Sequence, residues 1–565
     1  MSAPSSFDIT GPLPSGTTVL EASAGTGKTH TIAALATRYV AEGLTTADEL
    51  MIVTFGRAAT SELRDRVRER FATAAVALSD PDRARAGDDP LVRHLAADGD
   101  DEVALRCRRL RAAVARFDAA TISTTHGFCA QMLATLGIAA DLDPDATFVD
   151  STADLRTEVV ADCYVREFCL EPVSGPEARV LDARSARSAA REAFADPHSR
   201  LAPDGPAGSR ALLRRRFGDA TREELSRRKR RLRLLDYDDL LTRLRDALLD
   251  PATGAAAQER VRRRYRVVLV DEFQDTDPVQ WQILSAAFAG ERTLVLIGDP
   301  KQAIYAFRGG DVVAYLAATE AAGTRATLPT NHRADAPLVR AIGTLFDGAA
   351  LGDPRIAVHP VAASHPDSRL TGAPGGVPLR LRIMPRVVAD KAWTVVPARA
   401  AVVADLTAEI IGLLESGALL TLDGRPVRPV RPADVAVLVH RNADGEAVRD
   451  ALLAAGIPVV FAATSSVFAS RAAADWLTLL RALDGADREP LVRAASQTCF
   501  VGWDLATLAA AGDANLDTLG DRCRAWADLL SREGVASLWE HLGDGMGVTL
   551  LARPGGERLL TDLRH

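Results

Sequence analysis

The stretch TTVLEASAGTGKTHTIAALATRYV, residues 17–40, constrains the fold more than any other part of the chain. A short run of threonine, valine and leucine enters a glycine loop, and an alanine-rich helical pattern follows at once. Such a loop curls backbone N–H groups around an anion, and the helix behind it points its positive end at the same place. Gly25 and Gly27 supply the turns, Lys28 a cation for the β and γ phosphates, and Thr29 a hydroxyl for Mg2+. Ala22, Ser23, Ala24 and Thr26 complete the candidate ATP loop, although the usual pattern opens with Gly where this chain has Ala22. The bland alternative is a glycine turn between strand and helix with a solvent-facing lysine.

The same alternation recurs. ELMIVTFGRAATSELRDRVRERF (49–71) and DAATISTTHGFCAQML (118–133) each read as strand, turn and helix, and strand signals return at YRVVLVDEFQD (265–275) and RTLVLIGDPKQ (292–302). Alternating strands and helices predict an α/β core built on a parallel sheet. At 565 residues, the chain exceeds the roughly 250–300 residues that one hydrophobic core sustains. Residues 150–250 are helical in pattern and arginine-rich, which predicts an insertion into the first core, and 79–102, acidic with Gly and Pro, predict a surface loop. A second α/β region is expected from TRATLPTNHRAD (324–335) onward. In it PLRLRIM (378–384) reads as a half-buried strand and residues 432–461 as strand, helix and strand, before helices resume near 470.

A net charge of −7 excludes a basic nucleic-acid coat for the chain as a whole. Charge is nevertheless clustered at 212–235 and 260–266, either as a track for DNA phosphates or as helix faces paired with nearby carboxylates. Only four lysines occur, Lys28, Lys229, Lys301 and Lys391, and two of them fall inside motifs. The six cysteines form no CxxC pair, which argues against a zinc site or disulfide framework and for reduced, cytoplasmic thiols. Neither a secretory signal nor a membrane-spanning run is expected.

The apolar run VVLV ends in Asp271 and Glu272. The first carboxylate suits Mg2+ and the second can orient and deprotonate a water. Gln302 offers an amide to sense a γ-phosphate, and Arg333 a positive charge for a developing transition state. Taken singly, each is as well explained by a polar strand end or a surface loop.

Together the segments EASAGTGKT, VTFGRAATSELRDRV, STTHGFC, VDEFQDTDPVQW, GDPKQAIYAFRGGD and LPTNHR resemble the UvrD-type DNA helicases of superfamily 1, in which Ala at the first loop position is usual. EASAGTGKT, DEFQDTDPVQW and GDPKQAIYAFRG are similar to the RecB-type branch of that family, which works in exonuclease V (RecBCD) complexes. The resemblance implies two RecA-like domains with ATP and Mg2+ at their junction. It implies a first domain from 1–75, 115–150 and 250–320, a helical insertion at 150–250 and a smaller one at 76–114. It further implies a second, incomplete RecA-like domain at 321–470 and the start of another helical insertion at 471–565. By position it gives Lys28 and Thr29 to phosphates and Mg2+, Asp271 to Mg2+, Glu272 to water, and Gln302 and Arg333 to the γ-phosphate. It assigns DNA contacts to Thr54, Phe55, His126, Tyr305, Phe307 and Arg308. The implied partners are single-stranded DNA, duplex ends, and RecC- and RecD-like subunits, with no membrane.

Three departures qualify the resemblance. No glutamine precedes Gln131 to read adenine, His332 stands where the family has Tyr, and no lysine follows Lys391, so the late H-x-x-K-G-x-E motif is absent. The expectation is therefore an N-terminal portion of a RecB-like subunit that binds ATP but turns over and unwinds poorly or not at all. The competing readings are a generic P-loop NTPase, such as a small-molecule kinase, and a fragment that only binds ATP or DNA.

Overall fold

A computed structural model describes residues 4–137, 146–170, 181–197, 199–206, 209–305, 310–384, 387–388, 391–422, 424–462, 467–552 and 555–564. The chain divides into two compact units, the first comprising residues 1–371, 375–383 and 420–427 and the second 372–374, 384–419 and 428–565.

The first unit is built on seven parallel strands: β1 (Ser5–Ser6), β2 (Thr17–Glu21), β3 (Leu50–Thr54), β4 (Thr121–Thr124), β5 (Val267–Val270), β6 (Thr293–Gly298) and β7 (Thr324–Thr327). Their spatial order is β1-β7-β2-β6-β5-β3-β4. The near-continuous apolar runs LMIVT, VVLV and TLVLIG are what a parallel strand covered on both faces requires. Alternate residues divide between two cores. Leu20, Leu50, Ile52, Leu269, Val295 and Ile297 pack beneath α1 (Lys28–Ala41), α2 (Arg57–Ala77) and the helix Asp100–Ala115. Val19, Met51, Val53, Val268, Val270 and Leu296 pack beneath helices Thr125–Leu136, Tyr237–Leu249 and Pro278–Phe288. Because every strand runs the same way, the segments leaving Glu21, Thr54, Thr124, Val270, Gly298 and Thr327 gather along one edge of the sheet, where open α/β sheets bind ligands.

Three helices, Ala153–Val165, Ala183–Ala195 and Arg210–Leu232, close on a separate apolar cluster that includes Val159, Cys163, Phe194 and Phe217. Many of their basic residues are paired: Arg214 with Glu192, Arg228 with Asp162 and Glu224, and Lys229 with Asp236 and Asp239. In the second unit, helices Val395–Glu415 and Asn442–Ala454 meet around Ile410, Val448 and Leu452. Helices from Arg471 onward form a larger cluster that includes Leu479, Phe500, Cys523, Trp526 and Leu538.

Three expectations need correction. The second α/β region does not begin at Thr324, because Thr324–Thr327 is β7 and pairs with β1 and β2 in the first sheet. Residues 79–102 are not one loop, since short helices span Pro81–Ala86 and Pro90–Leu95. Each starts at an Asp-Pro pair: Asp80 accepts from the Arg83 N–H, and Asp89 from those of Leu91 and Val92. Asp at the cap and Pro at the first helical position are helix-start signals, and burial of Leu91, Val92 and Leu95 anchors the second. The strands expected at 378–384, 435–439 and 457–461 carry no ladder among the described residues, although the helix between the last two forms. Apolar alternation selects a face, but a strand persists only where a neighbour takes its N–H and C=O groups. Leu438 and Val460 are 96% and 91% exposed.

One buried ion group ties the ends of two central strands. Lys301 Nζ lies 2.9 Å from Glu21 Oε1 and 2.8 Å from Asp299 Oδ1, with both carboxylates buried. Burial alone would lower the lysine pKa, but Asp299 and Glu21 outweigh it and hold the ammonium above its ordinary value. Lys301→Met is expected to destabilise the first unit by roughly 3–5 kcal/mol, because two carboxylates lose their buried counter-ion. Urea unfolding of wild type and variant checks this.

Candidate active site

The phosphate loop begins as a continuation of β2. The Ala22 N–H donates to the Gly298 carbonyl at 2.9 Å, and its methyl group is wholly buried in the first core. No left-handed backbone is needed there, so a side chain fits where the common pattern has glycine. Gly25 and Gly27 do need it, with φ of 81° and 84°. Gly25 is constrained a second way, since a Cβ on it would lie 2.8 Å from both the Arg333 Cβ and Asn331 Oδ1. The segment that bears Arg333 rests directly on the loop: Asn331 Nδ2 donates to the Ala24 carbonyl at 3.0 Å and the His332 N–H to that of Gly25 at 2.8 Å. Thr26 closes the turn by donating to the Ser23 carbonyl at 2.7 Å. Lys28 and Thr29 open α1.

The acidic wall stands at the end of β5. Glu272 has a left-handed backbone, φ 50°, a costly state for a residue with a side chain and one that gathers at functional sites. Its Oε2 accepts from Lys28 Nζ at 2.6 Å and from Gln274 Nε2 at 2.7 Å. Asp271 hydrogen-bonds through its backbone N–H to the Val53 carbonyl at 2.8 Å. Burial, then the neighbouring Glu272 charge, pushes its carboxyl up to about 6. Asp275 is pushed up to about 6 by the same two causes, and its buried Oδ1 has no hydrogen-bond partner among the described residues. Beyond β6, Gln302 Nε2 donates to Asp299 Oδ2 at 2.7 Å.

The proposed DNA contacts are distributed unevenly. Phe55 is 37% exposed and stacks on Tyr305, with ring centroids 5.5 Å apart and planes 23° from parallel. Thr54, by contrast, is 1% exposed, at the end of β3. His126 meets Tyr237 edge-on at 5.2 Å, and burial lowers its pKa, so the ring is neutral at pH 7. The Tyr237 hydroxyl accepts from Arg57 and donates to Asp150, both at 2.9 Å. Phe307 and Arg308 lie outside the described residues.

Sequence reasoning passed over Gln274, Asp299, Asn331 and Tyr237. The first three sit inside the quoted motifs, but their roles depend on partners distant in sequence. The residues present fit a Mg2+-nucleotide. Two left-handed glycines line the loop, an ammonium is already matched to a carboxylate, and Thr29 and Asp271 offer the few hard oxygen donors that Mg2+ takes from protein beside substrate phosphates.

The Asp275 carboxyl carries a stability signature. Its folded pKa of about 6 lies above the ordinary 3.8, so ionisation opposes folding increasingly as pH rises from 3.8 to 6 and fully above that. Asp275→Asn removes this penalty. The gain is expected to reach up to about 3 kcal/mol at pH 8 and roughly half that at pH 5, read from urea unfolding at the two pH values.

Residues 8–322 match the UvrD/REP helicase N-terminal domain. Over 99% of its length the chain is 48% identical to the RecBCD enzyme subunit RecB of Mycolicibacterium smegmatis, of which it covers 50%. It is 46% identical, with the same coverage, to the RecB subunit of Mycobacterium tuberculosis. It is 28% identical to that of Escherichia coli, over 97% of this chain and 57% of the relative. The chain spans about half the length of the mycobacterial relatives it matches. The helicase-domain match takes in more than half of the chain, including the phosphate loop, Asp271, Glu272 and Gln302, and the chain belongs to the UvrD/REP helicase family.

Proposed function

We propose that this chain is the ATP-binding motor portion of a RecB-type DNA helicase and translocase subunit, acting 3′ to 5′ in double-strand break repair. The observation that carries the reading is the 2.6 Å contact between Lys28 and Glu272, which joins the phosphate loop to the strand end bearing the candidate base. Phosphates compete for Lys28, and its withdrawal leaves the Glu272 carboxylate to take a proton from water. Thr29 and Asp271 hold Mg2+, which when bound neutralises phosphate charge. Gln302 and Arg333 complete the γ-phosphate contacts. Phe55 and Tyr305 receive bases by stacking, which is worth about 1–3 kcal/mol per base and is indifferent to sequence. By the family pattern, Thr54, His126, Phe307 and Arg308 also belong to the DNA contacts.

The proposal includes a division into two RecA-like domains, the first from 1–75, 115–150 and 250 through β7 and the second from there to 470, with helical insertions at 76–114, 150–250 and from 471. It also includes RecC- and RecD-like partner subunits, action on duplex ends, and a cytoplasmic setting in which the six cysteines stay reduced; all six are free thiols.

ATP hydrolysis by the purified chain, with and without single-stranded DNA, tests the reading. Turnover that rises with DNA, and falls by about 100-fold or more in Lys28→Ala and Glu272→Gln, is the expected result. Glu272→Gln should keep nucleotide binding, since it removes the base and not the loop. Binding without turnover in the wild type would leave a nucleotide-binding portion, and phosphate transfer to a small molecule would replace the motor reading with a kinase.

A further inference from the structure

Gln274 is 2% exposed in the short turn Phe273–Asp275, and nothing in the mechanism above uses it. Both ends of its amide are engaged. Nε2 donates to Glu272 Oε2 at 2.7 Å, and Oε1 accepts from the Asp299 N–H at 2.9 Å. A carboxylate only accepts and a backbone N–H only donates, so just one orientation of the amide satisfies both. Asp299 is bonded onward to Gln302, and Tyr305, three residues further, stacks on Phe55. One amide therefore stands between the candidate base and the segment that carries Tyr305, the ring stacked on Phe55.

The fold makes room for this contact. A Cβ on Gly298 would lie 2.7 Å from Gln274 Oε1, and 3.1 and 3.2 Å from the backbone nitrogens of Gln274 and Phe273. Gly298 is not in a left-handed conformation. The close approach of Gln274, and not the backbone angle, is what demands glycine there.

We propose that Gln274 is a positioning residue that couples DNA at Phe55 and Tyr305 to the aim of the Glu272 carboxylate, through Asp299 and Gln302. The inference rests on the nucleotide- and DNA-binding reading above. When phosphates draw Lys28 away, the Gln274 amide still holds Glu272 Oε2. A buried amide cannot release one partner without leaving that end unsatisfied, so a shift of the 299–305 segment carries Gln274, and with it the carboxylate.

The test uses the full 565-residue chain. The affinity of a fluorescent non-hydrolysable ATP analogue is measured with and without oligothymidylate, beside steady-state ATP turnover. In the wild type, DNA is expected to change analogue affinity by a factor in the range of about 5–150. Gln274→Leu should bind each ligand alone within about twofold of wild type while that factor falls to near one. DNA-stimulated kcat should drop about tenfold or more with little change in KM for ATP, the signature of an interaction made only in the transition state. Gln274→Glu keeps the size and the acceptor for Asp299 but sets a second carboxylate against Glu272. It should lose the same coupling, and it serves if the leucine variant melts early. Wild-type coupling in a folded variant would overturn the proposal. A wild type that binds both ligands independently would overturn it while leaving the function reading intact. A wild type that binds no nucleotide would overturn both.

Discussion

The register of four parallel strands decides where every charged group of the site stands. β2 pairs with β6 so that Glu21 faces Gly298, β6 with β5 so that Val270 faces Leu296, and β5 with β3 so that Val53 faces Val270. One step beyond each pairing the chain leaves the sheet, which delivers the phosphate loop, the Asp271–Glu272 pair and Asp299 to neighbouring positions on one edge. A slip of one residue would send each side chain to the opposite face and bury the wrong set. The apolar layers on both sides of the sheet therefore hold the chemistry in place although none of their residues takes part in it.

That edge carries more negative than positive groups. Glu21, Asp271, Glu272, Asp275 and Asp299 gather around Lys28 and Lys301. The two lysines neutralise Glu272, Glu21 and Asp299 by direct contact. Asp271 and Asp275 are left with burial and like charge, which is why both carboxyls are pushed up to about 6. Their environments differ in purpose. Asp271 stands beside Thr54 at the strand end and suits a divalent cation, whereas Asp275 sits in a turn with an oxygen that has no hydrogen-bond partner among the described residues, and it weakens the fold. The lysine pairs differ as well. Lys301 is locked between two buried carboxylates and joins strands, while Lys28 meets one half-exposed carboxylate that anionic phosphates can displace.

Part of the charge in the arginine-rich helices is committed within the fold. Arg214, Arg215 and Arg228 pair with carboxylates on the same or neighbouring helices. Arg222 and Arg262 donate to backbone carbonyls, and Arg263 and Arg266 meet Glu259 and Glu49. Charge committed in this way stabilises helix packing and contributes less to a phosphate track.

The sequence by itself determined the parallel core, the phosphate loop and the acidic strand end. Glycine placement, apolar runs and the residue that ends a strand are local properties, readable within a few positions. The two Asp-Pro helix starts were equally local and were masked by an acidic, proline-bearing composition. Only the tertiary structure decided that Asn331 rests on Ala24, that Lys301 reaches Glu21 and that Gln274 bridges Glu272 to Asp299, because each needs two stretches of chain remote in sequence. It also decided that the apolar stretches at 378–384, 435–439 and 457–461 carry no ladder among the described residues. A pattern of alternating side chains specifies which face of a strand prefers to be buried. Whether another strand lies beside it to take up its backbone hydrogen bonds is a property of the assembled fold.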